Sequence, residues 1–193
     1  MKTDIILCGV GGQGILSIAA IIGEAALKDG LFMKQSEVHG MSQRGGDVQS
    51  NLRISDRPIA SDLIAFGTAN IIISLEPMEA LRYLPFLKKD GWVVTNSKAF
   101  ENIPHYPDLE NIYQIIRALP NKLLLDVEEI AKQTGSVRAA NMVILGAAAD
   151  YIGIDYHKLE DSIRSIFGRK GEDVVTLNLK ALAAGREAAR LAT

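Results

Sequence analysis

The sequence is poor in the residues that most often build disulfides and metal sites. It has one cysteine, Cys8, and three histidines, His39, His105 and His157, which lie far apart in the chain. A single cysteine forms no internal disulfide and does not ligate an iron–sulfur cluster alone, and scattered histidines argue against a zinc site. We therefore predict no metal site in this chain.

Long hydrophobic runs and a large excess of either charge are also lacking. No apolar stretch reaches the roughly 20 residues that a membrane-spanning helix needs, and the apolar run near the amino terminus is short and broken by glycines, unlike a secretory signal. The formal charge of −2 and the pI near 5.9 argue against a broad basic face for nucleic acid or anionic lipid. These features predict a cytoplasmic protein with neither a membrane nor a nucleic-acid partner.

What the chain does contain is material for one α/β domain. Its 193 residues, 48% of them hydrophobic, predict a single unit over residues 1–193. Short apolar runs predict buried strands, and an alternating pattern predicts a half-buried one. The predicted strands are 4–9, 31–35, 47–55, 70–76, 92–96 and 122–126.

Segments of helical periodicity separate most of these strands. They cover residues 15–30, 77–91, 127–135, 137–153, 158–168 and 173–192. Pro85 is expected to kink or divide the second of them, and the proline-containing segment 97–121 to form a long surface excursion. The alternation predicts an α/β fold with a Rossmann-like start, a mainly parallel central sheet and helices on both faces.

The first predicted strand runs directly into the glycine-rich sequence GVGGQG, residues 9–14. Gly9, Gly11 and Gly14 fit the G-x-G-x-x-G pattern, in which successive glycines permit a tight turn, close approach of a phosphate, and close packing of helix on strand. Free N–H groups at the start of the following helix favour an anion. A tight turn that binds no ligand is the alternative explanation of the same pattern.

We predict that this loop, including Gly12 and Gln13, forms part of a cofactor-binding site. Glu37, beyond the second predicted strand, lies roughly where a ribose-binding carboxylate would be expected, although the spacing from the loop is long. Asn141 lies in an otherwise apolar helix and needs a partner for its amide. We expect that partner to be backbone near the glycine turn.

A second polar and glycine-containing stretch, EVHGMSQRGG, covers residues 37–46. An arginine beside glycines is able to hold a phosphate or carboxylate through two parallel hydrogen bonds. Pairing of Arg44 with Glu37 is the alternative, and either arrangement would order the stretch. The catalytic candidates are Glu37, His39 and Arg44, with a hydrogen-bonding or interface role preferred for the histidine; the additional cofactor-binding candidates are Gln43, Arg44, Gly45 and Gly46.

Taken together, the two glycine motifs resemble those of the gamma-type subunit of 2-oxoacid:ferredoxin oxidoreductases. The intact EVHGMSQ before the RGG core is similar to the small subunit of the indolepyruvate branch. The resemblance extends through NIIISLEPMEALRYL, residues 70–84, and GSVRAANMVILGA, residues 135–147, and so covers most of the chain.

This resemblance implies a subunit of an enzyme that oxidatively decarboxylates aryl 2-oxo acids to acyl-CoA with ferredoxin as electron acceptor. It implies that thiamine diphosphate and the iron–sulfur clusters belong to a large partner subunit. This chain would bind none of these groups tightly, would help to bind CoA and close the active site, and would be inactive alone. Two alternatives remain: a stand-alone NAD(P)- or FAD-binding domain, and a purely structural subunit.

Overall fold

The computed structural model describes residues 1–40, 45–101 and 103–193. Within them, a six-stranded sheet has the order β2-β3-β1-β4-β5-β6. The β1, β4, β5 and β6 strands pair in parallel, whereas β3 is antiparallel to both of its neighbours. The prediction of a mainly parallel sheet is therefore confirmed. The strands are β1 (Lys2–Val10), β2 (Phe32–His39), β3 (Asp47–Ser55), β4 (Ala69–Ser74), β5 (Leu87–Asn96) and β6 (Lys122–Leu125).

Helices cover both faces of this sheet, because the side chains of its central strands are apolar on both sides. On β1, Ile5 and Leu7 face a large core, while Ile6 and Cys8 face a smaller one on the opposite side. Burial raises the pKa of the Cys8 thiol well above its usual range, and the predicted role of this residue in the core is confirmed. The helices are α1 (Ile15–Lys28), α2 (Pro77–Arg82), α3 (Leu109–Arg117), α4 (Val127–Thr134), α5 (Ala140–Ala148), α6 (Tyr156–Phe167) and α7 (Glu172–Ala192).

The second strand differs from its prediction in length and in position. It extends to His39 rather than ending at residue 35, because it pairs along its whole length with β3. A doubly wound start would place β2 beside β1, but β3 lies between them. The polar residues Glu37 and His39 misled the prediction because β2 is an edge strand, whose side chains are mostly solvated.

Two further segments differ from the predictions. The helix predicted over 77–91 ends at Arg82, and after a 3-10 turn that contains Pro85 the chain enters β5 at Leu87. Proline lacks the N–H that would continue the helix. The segment 97–121 is not simply a surface excursion, because it contains α3, whose Ile112 and Ile116 are buried one turn apart.

The α5 helix is buried on nearly all sides, as its apolar sequence predicts, and it crosses α7 at very short range. A Cβ added to Gly146 would lie 1.9 Å from the carbonyl oxygen of Leu182, and one added to Gly185 would lie 1.9 Å from that of Val143. Two glycines thus allow the two helix backbones to touch. This contact fixes α5, and with it the Asn141 side chain at its start, relative to the sheet.

Candidate functional site

The loop from Gly9 to Gly14 connects β1 to α1 at the carboxyl edge of the sheet. Gly12 and Gly14 have left-handed φ angles of +103° and +87°. A Cβ at Gly14 would lie 2.5 Å from Nδ2 of Asn141, and this Nδ2 donates a hydrogen bond to the Gly14 carbonyl oxygen at 3.3 Å. The predicted pairing of the Asn141 amide with the glycine turn is therefore confirmed.

Gln13 connects the ends of the two central strands. Its Oε1 accepts the Val10 N–H at 2.7 Å, and its Nε2 donates to the Leu75 carbonyl oxygen at 3.1 Å. A Cβ at Gly9 would lie 2.7 Å from this Oε1, so the first glycine makes room for the glutamine side chain. The crevice between β1 and β4, where open α/β sheets commonly bind ligands, is therefore bridged by Gln13.

The two glycine motifs meet in the structure. The Gly11 N–H donates to the Gly46 carbonyl oxygen at 2.8 Å, and the Gly40 N–H donates to the Asp47 carbonyl oxygen at 3.3 Å. The Gly11 N–H is thus engaged and is not a free donor for a phosphate. Among the described residues, no acceptor engages the backbone N–H groups of Gly12, Gly14, Ile15 and Leu16.

A cavity of about 510 Å³ lies between the glycine loop, the start of α1 and the end of β2. Glu37 and His39 alternate with Val38 along β2, so both point to the face that carries α1, and His39 Nδ1 lies 3.3 Å from the Gly40 carbonyl oxygen. The cavity has an apolar floor with these two polar groups at its rim. It is lined by Val10, Gly11, Gly12, Gly14, Ile15, Leu16, Glu37, His39 and Val48.

The remaining predicted site residues are placed differently. Gly9 and Gln13 do not line this cavity. Gly45, which has a φ of +79°, and Gly46 immediately precede β3, which begins at Asp47. Gln43 and Arg44 lie outside the described residues, so the choice between an anion contact and an Arg44–Glu37 pair stays a prediction.

A second, smaller cavity of about 230 Å³ lies on the other side of the glycine loop, and sequence reasoning missed it. Gly12 lines both cavities. Arg138 and Glu128 bring opposite charges to the second one from the segments around α4 and α5, and no ion pair between them is present. The sequence signal was the position of Arg138 within GSVRAANMVILGA, one of the segments that carry the resemblance.

A fully buried carboxylate, Glu76, follows β4 at the same edge of the sheet. Its side chain accepts hydrogen bonds from the Glu79 N–H at 2.8 Å, from the Phe100 N–H at 3.4 Å and from the Tyr106 hydroxyl. Burial, and next the bond to Glu76, raise the pKa of Tyr106 above its usual range. Glu76 therefore caps α2 and holds the segment between β5 and α3 against the sheet.

Burial also raises the pKa of the neighbouring Glu79, although Arg82 opposes the shift through a hydrogen bond and its charge. The described residues contain no group of three or more His, Cys, Asp and Glu side chains arranged to hold a metal ion. None of the helices in the described residues combines the length and the apolar character needed to cross a membrane.

Comparisons with known proteins identify the family. The profile described as pyruvate ferredoxin/flavodoxin oxidoreductase matches residues 4–188. The indolepyruvate oxidoreductase subunit IorB of Archaeoglobus fulgidus is 38% identical over 194 residues, which cover 96% of this chain and 94% of the relative. The IorB subunit of Pyrococcus horikoshii is 38% identical over 197 residues, covering 97% of this chain and 96% of the relative.

A solved structure with a similar fold is the gamma subunit of a keto/oxoacid ferredoxin oxidoreductase from Geobacter sulfurreducens. The TM-score is 0.74 at 26% sequence identity, and the match covers 100% of this chain and 98% of that chain. The resemblance drawn from the two glycine motifs is thereby confirmed. The chain belongs to the pyruvate ferredoxin/flavodoxin oxidoreductase family and is similar over nearly its whole length to the IorB subunits.

Proposed function

We propose that this chain, as one unit over residues 1–193, is the subunit of an indolepyruvate-type 2-oxoacid:ferredoxin oxidoreductase that contributes a CoA-binding surface. The observation that carries the assignment is the identity of 38% with IorB over nearly the full length of both proteins. In this proposal a large partner subunit holds thiamine diphosphate and the iron–sulfur clusters, which would supply decarboxylation and electron transfer to ferredoxin. With its single cysteine, this chain does not have the ligands for a cluster.

The geometry of the glycine loop favours an anionic ligand at the surface of this subunit. Gly12, Gly14, Ile15 and Leu16 line the larger cavity, and their N–H groups, which no acceptor among the described residues engages, favour a phosphate. The apolar floor suits an uncharged part of the same ligand. CoA combines a diphosphate with an uncharged pantetheine arm, and therefore matches both parts of the cavity.

Two observations disfavour the alternative of a stand-alone dinucleotide-binding domain. Gln13 bridges the crevice in which such a domain would place the diphosphate. Glu37 lies two strands away from β1, which is roughly 10 Å at ordinary strand spacing, because β3 lies between β1 and β2. A ribose-binding carboxylate would be expected on the strand next to β1.

Gly12→Val is expected to weaken CoA binding by the assembled complex at least tenfold, which corresponds to about 1.4 kcal/mol of binding free energy. Among the described residues, no heavy atom lies within 4 Å of a Cβ added at this position, so the side chain would occupy ligand space. Gly30→Val is the matched control, because Gly30 has a φ of +71° and is equally open, but lies at the far end of α1. The measurement is calorimetric titration of the complex with CoA.

Equal CoA affinities for the Gly12→Val and Gly30→Val proteins would reject the anion site at the loop. Tight binding of NAD(P) or FAD to the isolated chain would favour the dinucleotide alternative. Loop variants that weaken assembly with the partner subunit, but leave the CoA affinity of the complex that does assemble unchanged, would support a purely structural subunit.

The role of Arg44 is tested through its coupling to Glu37. If Arg44 binds an anionic group, Arg44→Ala is expected to weaken CoA-dependent turnover by about 1.5–3 kcal/mol, the range for hydrogen bonds to charged groups. Arg44→Lys should restore only part of this loss of turnover. The measurement is a double-mutant cycle on the KM for CoA. Additive effects of Arg44→Ala and Glu37→Ala support the grip, whereas strong coupling shows an internal ion pair.

A further inference from the structure

Arg138 has a guanidinium group that no residue of the described chain engages. The arginines at 53, 82, 117, 186 and 190 each pair with a carboxylate. The Arg138 side chain has no such partner in residues 1–40, 45–101 and 103–193, and only its backbone N–H is bonded, to Ser136 Oγ at 3.3 Å. An arginine without a partner at the edge of a cavity is available for an anionic ligand.

The backbone around Arg138 is held firmly relative to the glycine loop. Ser136 caps a 3-10 turn, Val137–Ala139, which leads directly into α5. The Ala139 N–H donates to the Ser136 carbonyl oxygen at 3.0 Å, and Asn141 then bonds to Gly14. Arg138 is therefore presented from a structured turn at a fixed position beside the loop.

The smaller cavity contains few hydrogen-bond donors that remain free. Both ends of the Gln13 amide are engaged, and Nδ2 of Asn141 donates to Gly14. The amide of Asn96 is engaged by the Leu75 and Lys98 backbone. Within the described residues, the Arg138 guanidinium is thus the one side-chain donor group lining this cavity that has no hydrogen-bond partner, and the N–H of Gly12, which also lines it, is unengaged.

We propose that the ligand crosses the glycine loop at Gly12. Arg138 then binds one of its phosphate groups on the side of the loop opposite to Glu37 and His39. This inference rests on the proposed function, because CoA carries phosphate groups at more than one point along its length. Gly12 lines both cavities, and a Cβ added to it would have no heavy atom of another described residue within 4 Å. One anionic group therefore meets the amides at the start of α1, and a second meets Arg138.

The alternative explanation is that Glu128 neutralises the charge of Arg138, since Glu128 lines the same cavity. If Glu128 and Arg138 only neutralise each other, removing either charge should have the same effect. If Arg138 binds a phosphate, the Glu128 carboxylate repels that phosphate, and its removal should strengthen binding. The two variants are therefore expected to change affinity in opposite directions.

The test is a titration of the assembled complex with CoA and with dephospho-CoA, and of the full-length chain with inorganic pyrophosphate. Arg138→Ala is expected to weaken CoA binding about tenfold or more, Arg138→Lys to restore part of it, and Glu128→Gln to strengthen it severalfold. Arg164→Ala, which removes the charge of an exposed arginine on α6, is the matched control and should have no effect. Thermal melts establish that each variant is folded.

Loss of affinity in both Arg138→Ala and Glu128→Gln would overturn the proposal in favour of an internal pair. CoA binding that is weakened by Gly12→Val but unchanged by Arg138→Ala would overturn this inference and leave the proposed function standing. Absence of CoA binding to the wild-type complex would overturn both. An Arg138→Ala effect that disappears with dephospho-CoA identifies the 3′-phosphate as its partner, and one that persists identifies the diphosphate.

Discussion

Alanine at Gly185 is expected to destabilise the fold by about 3 kcal/mol or more, at or above the upper end of the usual range for overpacking. The added Cβ would lie 1.9 Å from the Val143 carbonyl oxygen and 2.7 Å from its carbonyl carbon. The obstacle is backbone rather than a flexible side chain, so α5 and α7 must move apart. Denaturant unfolding of the isolated chain measures the loss.

Gly168→Ala is the matched control for this prediction. Gly168 has ordinary right-handed dihedral angles, and an added Cβ would meet no heavy atom of the described residues within 4 Å. Its replacement is expected to be neutral or to stabilise by about 0.4–1 kcal/mol, because alanine restricts the unfolded chain. A Gly185→Ala protein that is as stable as the Gly168→Ala protein would contradict the close contact between α5 and α7.

Replacing Glu76 by alanine is expected to lower the free energy of unfolding by about 3–4 kcal/mol, since it leaves several buried donors unsatisfied. The substitution removes the cap of α2, which accepts the Glu79 N–H, and the acceptor for Phe100 N–H and the Tyr106 hydroxyl. Thermal and urea unfolding provide the measurement. Glu76→Gln should recover part of the loss, because an amide oxygen still accepts a hydrogen bond.

Glu110 supplies the comparison, because its carboxylate is 58% exposed and pairs with Arg117 at the surface. Its replacement by alanine should change stability by less than about 1 kcal/mol, as exposed ion pairs contribute little. Hydrogen exchange adds a local measure: Glu76→Ala should increase exchange in the segment between β5 and α3. If the Glu76→Ala and Glu110→Ala proteins are equally stable, the buried cap does not anchor this segment.

Several features of the molecule were predictable from local pattern. The centre of β4 has three consecutive isoleucines, Ile71, Ile72 and Ile73, and a strand covered on both faces needs such a run. The glycine loop was recognisable because a strand, a turn and a helix follow one another within a few residues. The partner of Asn141 was also predictable, because a half-buried amide in an otherwise apolar helix needs a polar partner such as nearby backbone.

Other features depend on contacts that no local pattern encodes. The polar residues Glu37 and His39 are compatible with a loop until β3 provides the hydrogen bonds that make this segment part of an edge strand. Leu87–Gly91 has the polarity of a helix end, but it starts β5 because Leu87 pairs with Ala69 and, after a register irregularity, Trp92 pairs with Ile71 of β4. In both cases a neighbouring strand decides the secondary structure.

The sequence by itself determined the family, the α/β class and the first glycine turn, because each depends on residue types at fixed short spacing. The tertiary structure alone decided what those residues contact. It joins the Gly11 N–H to Gly46, uses Gln13 to bridge the crevice between β1 and β4, and brings Arg138 beside Gly12. Such contacts join positions up to about 130 residues apart, and only the packing of α5 on the sheet and on α7 brings Arg138 and Asn141 to the loop.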